Sequence, residues 1–426
     1  MMNRRNFMQA IALAGGAASG LVPVGRSAFA AVGAVGAAAT QKKLVVVFLR
    51  GAVDGLSVVA PYSEPEYYRY RETIALARPG DNGEVLDLDG HFGLHPALAP
   101  LMPLWQGGKL AFVHASGSPD ATRSHFDAQD YMESGTPGRK ATADGWMNRL
   151  LAMLPGASSP TRGIAVGPVL PRIYAGAAPV ASIAQGQAAT RPTLTDQPRI
   201  ADAFARLYDG DDRTARVYRE SQAARREVIA SLDSASPVNA AMDKEQMAAN
   251  NGAPLPNGFP DDAARLARLM RNDFKVQLGF AALGGWDTHA GQGAATGQLA
   301  NRLAPLGQGL AVLAERLGPL FDDTVVVVMS EFGRTARENG NRGTDHGHGN
   351  VMWVMGGGVN GGKVHGDWPS IAEASLNEGR DLAVTTDFRS VLIDVAERHL
   401  ALSDTQLASL FLDAPRRTAS IRVIRS

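Results

Sequence analysis

Three side chains that bind metal ions or transfer protons lie close together in one glycine-rich segment. "GNRGTDHGHGN" (340–350) contains Asp345, His346 and His348 and has no helical periodicity. Two histidines spaced by a glycine beside an aspartate seldom arise from packing alone, and imidazole with carboxylate is a common ligand set for metal ions. We therefore predict that this segment takes part in metal binding or catalysis.

Further ionisable side chains follow apolar, β-branched runs that predict buried strands. Asp54 follows the run at 42–51, and Asp287 and His289 follow the run at 274–285. Glu331 and Arg334 lie at the end of the run at 323–333. Ligands of open α/β sheets bind beyond the carboxyl ends of the strands. These groups are therefore expected to meet at one edge of a sheet.

"SHFDAQDYMESG" (124–135) predicts a helix that begins after Ser124 and ends at a glycine. Ser124 has two interpretations, an ordinary helix N-cap and a metal-activated nucleophile. The other candidates also keep structural alternatives: a turn for Asp54, a surface turn for Asp287 and His289, and an ion pair sealing the sheet for Glu331 and Arg334.

Alternating strand and helix patterns predict an α/β fold, a three-layer sandwich with a mostly parallel central sheet. Further strands are predicted at 109–115 and 350–358, and helices at 95–108, 124–135, 144–156, 197–232, 262–272, 297–317 and 387–400. Residues 160–260 have few buried-strand signals and are interpreted as an inserted cap. Residues 234–262 lack periodicity and are predicted to be a mobile surface segment that precedes the helix at 262–272.

The N-terminal residues are typical of an export signal. Arg4 and Arg5 precede an apolar run that ends in the small-residue pattern Ala28-Phe29-Ala30. This order predicts a twin-arginine signal peptide over 1–30, cleaved near Ala30, and an α/β domain over 31–426. The expected location is periplasmic or secreted, with the twin-arginine translocase as partner during export. The alternative, a stable membrane anchor, is disfavoured because the run is short and rich in Gly and Ala.

Charge and cysteine content exclude several classes of function. The chain has 42 basic and 42 acidic side chains, and cleavage after residue 30 would remove three arginines and no acid. No basic field for nucleic acid is therefore expected. Cys is absent, which excludes disulfides, thiolate zinc sites, iron–sulfur clusters and a cysteine nucleophile.

Six sequence motifs resemble those of a known family. They are "FLRGAVDGL" (48–56), "GLHPALAPL" (93–101), "RSHFDAQDYMESG" (123–135), "GWDTH" (285–289), "SEFGRT" (330–335) and "GTDHGHGN" (343–350). In this order they resemble a twin-arginine-exported bacterial family catalogued as domain of unknown function 1501. More broadly, the chain resembles the alkaline phosphatase-like superfamily, which includes sulfatases and phosphomutases.

The wider resemblance implies a two-metal site with a serine or threonine nucleophile at the start of a helix. The residues that match these places are Asp54, Ser124, Asp287, His289 and His348. Where the superfamily has an Asp-His pair after a strand, this chain has Glu331-Phe332. His346 is the expected replacement for the missing imidazole.

The leading hypothesis is an exported metal-dependent hydrolase of a small anionic phosphate or sulfate ester. Two divalent ions, zinc, manganese or iron, would be used. The expected roles are Asp54, Glu331 and His346 on one ion; Asp287, His289 and His348 on the other; Ser124 as nucleophile; and Arg123 or Arg334 on the substrate anion. The alternatives are a catalytically degenerate metal- or anion-binding protein of a larger assembly, and a single-metal redox enzyme.

Overall fold

The apolar runs form the strands of a nine-stranded central sheet in the computed structural model. It describes residues 41–140, 142–167, 169–185, 198–210, 214–216, 218–219, 248–413 and 421–425. The strands are β1 Lys43–Leu49, β2 Val59–Ala60, β3 Leu86–Asp87, β4 Gly93–Leu94, β5 Leu110–Gly117, β6 Gly163–Val166, β7 Ala181–Ile183, β8 Leu278–Leu283, β9 Thr324–Ser330, β10 Asn350–Gly356, β11 Lys363–His365 and β12 Thr386–Asp387. The predicted signal peptide, 1–30, lies outside the described residues.

The sheet is mostly parallel, as predicted. Its order is β11-β5-β10-β9-β1-β8-β6-β7, with β12 beside β5, while β2, β4 and β3 form a small separate sheet. Only β10 runs antiparallel to its neighbours β5 and β9 among the described strands of the large sheet. The central strand β1 pairs in parallel with both β8 and β9, so the segments that follow these three strands leave the sheet at the same edge.

Helices cover the sheet. They are α1 Gly55–Val58, α2 Pro65–Tyr70, α3 Met102–Gln106, α4 His125–Ser134, α5 Trp146–Met153, α6 Pro198–Leu207, α7 Phe259–Asn272, α8 Gln298–Leu317, α9 Phe388–Arg398 and α10 Asp404–Leu410. Short 3₁₀ helices span Pro96–Leu101, Pro160–Arg162, Arg172–Tyr174, Pro256–Gly258, Gly318–Asp323 and Glu373–Ser375.

Side chains of β1 alternate between two apolar cores, which gives the three layers. Val45 and Val47 pack in the core formed with α7 and α8. Val46 and Phe48 pack in the core formed with α5 and α9. A strand covered on both faces reads as a continuous apolar run, which is why the sequence of β1 predicts a buried parallel strand.

The described part of the middle region shows that the predicted cap needs one correction. Residues 163–166 and 181–183 belong to the central sheet as β6 and β7, so this part of 160–260 is no inserted cap. Strands of four and three residues are too short to give the continuous apolar run expected of a core strand. In the described part of 234–262, Asn250 is buried, Asn251 and Gly252 are exposed, and α7 begins at Phe259.

The predicted helix over 95–108 is a 3₁₀ helix followed by the short α3. Pro100 lies inside it, and proline cannot donate the hydrogen bond that an α-helix needs there. Within the described parts of the chain, no helix combines the length and the apolar character required to cross a membrane.

Candidate metal centre

Four side chains from three separate segments converge at the carboxyl edge of the sheet. His125 is the first residue of α4, Asp287 and His289 follow β8, and His346 precedes β10. Nε2 of His346 lies 3.0 Å from Nε2 of both His125 and His289 and 3.2 Å from Oδ1 of Asp287. Oδ1 of Asp287 is also 3.0 Å from His289 Nε2 and 3.5 Å from His125 Nε2.

The other ring nitrogen of each histidine is held by an oxygen that can only accept a hydrogen bond. Nδ1 of His125 lies 2.8 Å from Glu331 Oε1, Nδ1 of His289 lies 3.1 Å from Asp345 Oδ1, and Nδ1 of His346 lies 3.0 Å from the backbone oxygen of Arg123. Each Nδ1 therefore carries the proton and donates it. In the neutral imidazoles this tautomer leaves the lone pair of each Nε2 facing the cluster, which is how metal-binding histidines are oriented.

The spacing of these atoms fits a bound cation. Zinc lies 2.0–2.2 Å from nitrogen and oxygen ligands, so neighbouring ligands of a tetrahedral site are ~3.3 Å apart. The five distances above, 3.0–3.5 Å, match that value, and they cover every pair of the four atoms except His125 with His289. Three lone pairs and a carboxylate oxygen at this distance repel one another, and a cation relieves the repulsion. His125, Asp287 and His346 form the group of potential ligands that lies within 4.8 Å in the described residues, and His289 adjoins it.

The cluster is buried on one side and open on the other. The side chain of Glu331 is fully buried and that of Asp287 is 5% exposed, whereas the side chains of His346 and His289 are 25% and 37% exposed. A ligand can therefore approach from the side of these two histidines.

The electrostatics keep both carboxylates charged. Burial raises the pKa of Asp287, but hydrogen bonds from the three histidines and the charge of Arg334 outweigh it, so the pKa lies well below its usual range. Burial likewise raises the pKa of Glu331, but the hydrogen bond and charge of His125, with the hydrogen bond from Gln129, together lower it by more. An ionised carboxylate is the form that a metal ligand requires.

His125 and His289 take up positive charge readily beside these carboxylates. Burial lowers the pKa of His125, but hydrogen bonds to Asp287 and Glu331 outweigh it and raise the pKa to about 9. A hydrogen bond to Asp287 raises the pKa of His289 despite partial burial. The site therefore attracts cations, protons or metal ions, to Nε2.

Close approach of backbone segments explains the glycines around His346. A Cβ at Gly347 would lie 2.5 Å from the carbonyl carbon of Arg334, and a Cβ at Gly343 would lie 2.4 Å from the backbone of His289. Backbone hydrogen bonds join the same segments, because Gly347 N donates to Gly333 O at 2.8 Å. Glycine thus lets the segment before β10 pack directly against the loops after β8 and β9.

Arg334, predicted to bind substrate, instead holds the loops of the site together. Its side chain is fully buried. The guanidinium donates to the backbone oxygens of Ala52, Thr344 and Gly51 at 2.7, 2.9 and 2.7 Å, and it also contacts Asp287 Oδ1. These contacts occupy it, so the structure gives Arg334 no free face for a substrate anion.

Asp54, predicted as a metal ligand, is not brought to the cluster. Both its oxygens bind the guanidinium of Arg71, at 2.5 and 3.0 Å, and both side chains are fully buried. Ser57 and Gln292 donate to the same carboxylate at 2.6 and 2.7 Å. Burial raises the pKa of Asp54, but the charge of Arg71 and the hydrogen bonds from Arg71, Ser57 and Gln292 together lower it by more, so the group serves as half of an internal ion pair.

His348, also predicted as a ligand, lies apart from the converging atoms. Its Nε2 is 2.9 Å from the backbone oxygen of Ser118, which follows β5. The structure thus separates the two histidines of "DHGHG", with His346 in the cluster and His348 outside it.

The predicted nucleophile and anion-binding residue precede His125 directly. Ser124 is exposed and its Oγ accepts a hydrogen bond from Asp127 N at 3.4 Å, so it is the N-cap of α4. The guanidinium of Arg123 pairs with Glu378 at 2.7 Å and with the buried Asp381 at 3.4 Å. Both residues stand beside the cluster along the chain, and both have structural contacts of their own.

Sequence reasoning did not assign His125 to the site. Its ring lies 4.9 Å from that of Phe332 and 4.4 Å from that of His346, measured between centroids. His125 from α4 thus brings an imidazole to the cluster, and Phe332 packs against its ring. The available signal was the position of His125 at the start of a helix next to two candidate site residues.

Replacing Glu331 by glutamine is expected to weaken metal binding by about 10–100-fold, since groups that orient metal-binding histidines have effects of this size. In the native site Gly51 N and Gln129 Nε2 donate to Glu331 Oε1 at 2.8 and 3.0 Å. Glutamine would place an amide donor beside these donors, where an acceptor is needed. Competition with a chelator measures the change. The matched variant Glu315→Gln, on the exposed side of α8, should bind metal like the native protein.

The chain is similar in fold to several solved structures. Ps i-CgsB in complex with k-i-k-neocarrahexaose is 10% identical, with 86% of this chain and 74% of that chain covered and a TM-score of 0.38. A protein in the alkaline phosphatase superfamily from Vibrio parahaemolyticus is 10% identical, with 77% and 64% covered and a TM-score of 0.32. The PsFucS1 sulfatase from Pseudoalteromonas sp. is 11% identical, with 82% and 70% covered and a TM-score of 0.33.

No protein of curated function matches the chain in sequence. A family model does match it over residues 41–411, nearly the whole of the described part. The motifs that suggested the resemblance all lie within that range. The chain therefore belongs to the family described as "Protein of unknown function (DUF1501)".

Proposed function

We propose that the protein is a metal-dependent hydrolase of phosphate or sulfate esters, with one divalent ion held by His125, Asp287 and His346 and with His289 beside them. The observation that carries the proposal is the convergence of three Nε2 atoms and one carboxylate oxygen, with every Nδ1 fixed by an acceptor. Such preorganised ligands are costly unless a cation binds among them. A divalent ion there supplies Lewis acidity to an ester oxygen and lowers the pKa of a hydroxyl group.

Arg123 is the side chain best placed to bind the substrate anion. Its side chain is 30% exposed, and its backbone oxygen anchors His346. Its partner Glu378 is 64% exposed and therefore replaceable by an incoming anion. A guanidinium binds two oxygens of a phosphate or sulfate group at once.

Ser124 is the proposed nucleophile. Its hydroxyl oxygen already accepts a hydrogen bond from Asp127 N, and as the oxygen attacks phosphorus or sulfur its proton passes through water to the oxygen of the leaving alcohol. The new bond forms between Oγ and the phosphorus or sulfur atom, and the bond to the leaving alcohol breaks. Water then releases the anion and restores the hydroxyl group.

Replacing Ser124 by asparagine is expected to lower turnover of the cleaved ester at least about 1000-fold, as for other covalent nucleophiles. Asparagine remains a good N-cap, so α4 and the metal content should be unchanged. The measurement is a metal-replete screen against phosphate mono- and diesters and sulfate esters, followed by kinetics on any substrate found. Native-like turnover by Ser124→Asn would remove the side chain from the mechanism and leave water as nucleophile.

A second candidate is a metal-binding protein without hydrolytic activity. The observations that favour it are the structural contacts of Ser124 and Arg123, which explain both side chains without catalysis. Metal bound at one ion per chain, with no turnover of any ester in the screen, would support this candidate over the hydrolase.

We also propose that the chain is exported through the twin-arginine route before it acts. The support is the sequence of residues 1–30. Replacing both Arg4 and Arg5 by lysine should keep the precursor in the cytoplasm, while the native chain should be found outside it with an N-terminus near residue 31. Cell fractionation and mass spectrometry test this, and equal export of both forms would contradict it.

A further inference from the structure

A cavity separate from the metal cluster lies at the same edge of the sheet. It has a volume of about 440 Å³, within the range of small-molecule sites. It lies at the side of β8, β6 and β7, and its lining includes Arg50, Arg172, Asn251, Phe280, Ala282 and Leu170. We call it the Arg50 cavity, and none of the four residues of the metal cluster lines it.

One wall of the Arg50 cavity is apolar. Phe280 and Ala282 are two residues apart on β8, so their side chains leave the same face of the strand. Leu170 and Val169 add large apolar side chains that are 47% and 75% exposed. A ligand with a hydrocarbon or aromatic part would cover this surface, and the removal of both apolar surfaces from water would favour binding.

The other notable feature of the lining is a pair of guanidinium groups, each with one buried nitrogen left over. Arg50 is 6% exposed, and it donates to Glu133 Oε1 at 2.5 Å and to Asn251 O at 2.8 Å. Arg172 donates to Asp130 Oδ1 at 2.7 Å and to Thr142 O at 2.6 Å.

Nε of Arg50 and Nη1 of Arg172 are buried, and neither has an acceptor among the residues that the structure describes. Buried donors normally find partners, so a pair of unpaired N–H groups on one cavity needs an explanation. The neighbouring carboxylates, Glu133 and Asp130, hold the two guanidinium groups in place from one side. Acceptor oxygens of a ligand would satisfy the remaining donors.

We propose that the Arg50 cavity binds a small amphipathic organic anion. Its carboxylate or sulfonate group accepts hydrogen bonds from Arg50 and Arg172, and its hydrocarbon part packs against Phe280, Ala282 and Leu170. Guanidinium donors and an apolar wall together recognise such a molecule, whereas neither an inorganic ion nor a neutral hydrocarbon would use both. The inference does not depend on the metal centre or on hydrolysis.

The test compares two fluorescent probes that differ in one group. 8-Anilinonaphthalene-1-sulfonate has an aromatic body and a sulfonate, and N-phenyl-1-naphthylamine has the same body without the charge. The native protein is expected to bind the sulfonate at one site per chain. Arg172→Gln should weaken it at least about tenfold, the effect of losing a hydrogen bond from a charged group. The same substitution should change binding of the uncharged probe less than twofold.

Two further variants locate the site. Ala282→Phe fills the cavity and should abolish binding of both probes. Leu170→Asp, at an exposed position that should not disturb folding, should weaken the sulfonate probe more than the neutral one. Arg268→Gln, on the exposed side of α7, is the control and should bind both probes like the native protein.

Circular dichroism and thermal melting establish that each variant is folded. Sulfonate binding unchanged by both Arg172→Gln and Leu170→Asp would overturn the proposal, and so would equal weakening of the two probes by Arg172→Gln. His289→Ala should leave probe binding intact while weakening metal binding. Loss of metal and loss of probe are therefore separate outcomes that test separate proposals.

Discussion

Replacing His346 by alanine is expected to weaken divalent-metal binding by at least about 100-fold, whereas replacing His348 by alanine should leave it within about twofold. Loss of a group that only orients a ligand already costs about 10–100-fold, which sets the lower bound for a ligand itself. Nε2 of His346 is 3.0–3.2 Å from three other candidate ligand atoms. His348, two residues away in the same segment, binds the backbone of Ser118.

The two variants form a matched pair because each removes one imidazole from the same glycine-rich segment. Elemental analysis of protein from metal-replete cells gives the occupancy, and competition with a chelator gives the affinity. The native protein and His348→Ala should show one ion per chain and a melting temperature that rises with added metal. Equal metal loss in both variants, or full occupancy in His346→Ala, would contradict the assignment.

The same measurement decides between one ion and two. The sequence-based hypothesis used Asp54 in a second set of ligands, but the structure occupies it with Arg71. Asp54→Asn should therefore leave the metal content at one ion per chain while lowering stability. Two ions in the native protein would restore the two-metal hypothesis. Iron with a visible spectrum would favour redox chemistry, because two histidines and one carboxylate, as in His125, His346 and Asp287, also suit iron.

Much of the site could be predicted because parallel strands end at a common edge. Asp287, His289 and Glu331 follow β8 and β9, and the strand runs before them are plain in the sequence. Their convergence follows from the sheet alone, without knowledge of any contact. His346 was found by a different signal, the rarity of two closely spaced histidines among glycines.

The remaining errors come from contacts between distant segments. Asp54 follows β1 as the rule requires, but nothing in the sequence shows that Arg71 binds it. His346 and His348 have the same local sequence character, and the sequence does not show that His348 binds the backbone oxygen of Ser118. His125 is one of the candidate groups after the strand run at 109–115, but the sequence gives it no role because its partners, Glu331 and His346, lie more than 200 residues further along the chain.

The short strands of the middle region are harder to place in the sheet from sequence for a related reason. β6 and β7 contribute four and three residues to a sheet whose other members already provide the core. Pairing with β8 and with each other determines their place, since segments of this length have little periodicity of their own.

Replacing Arg334 by methionine is expected to lower the free energy of unfolding by about 3–5 kcal/mol, the usual cost of removing one partner of a buried charged pair. Methionine fills much of the space but donates no hydrogen bonds. The carbonyl oxygens of Gly51, Ala52 and Thr344 and the carboxylate of Asp287 would then lose their donor inside the protein. Urea denaturation followed by circular dichroism measures the change.

The control is Arg268→Met on the exposed face of α7, which should change the free energy of unfolding by less than about 0.5 kcal/mol. Arg334→Lys separates the structural role from substrate binding. A lysine supplies the charge but cannot reach several acceptors in different directions. The Arg334→Lys protein should therefore remain less stable than the native protein, and it should lose metal affinity because the loop carrying Asp287 shifts. If Arg334 instead bound the substrate anion, lysine would keep native stability and metal content and raise only the KM. Native stability in both Arg334 variants would show that the loops after β1, β8 and β9 hold the metal ligands without this side chain.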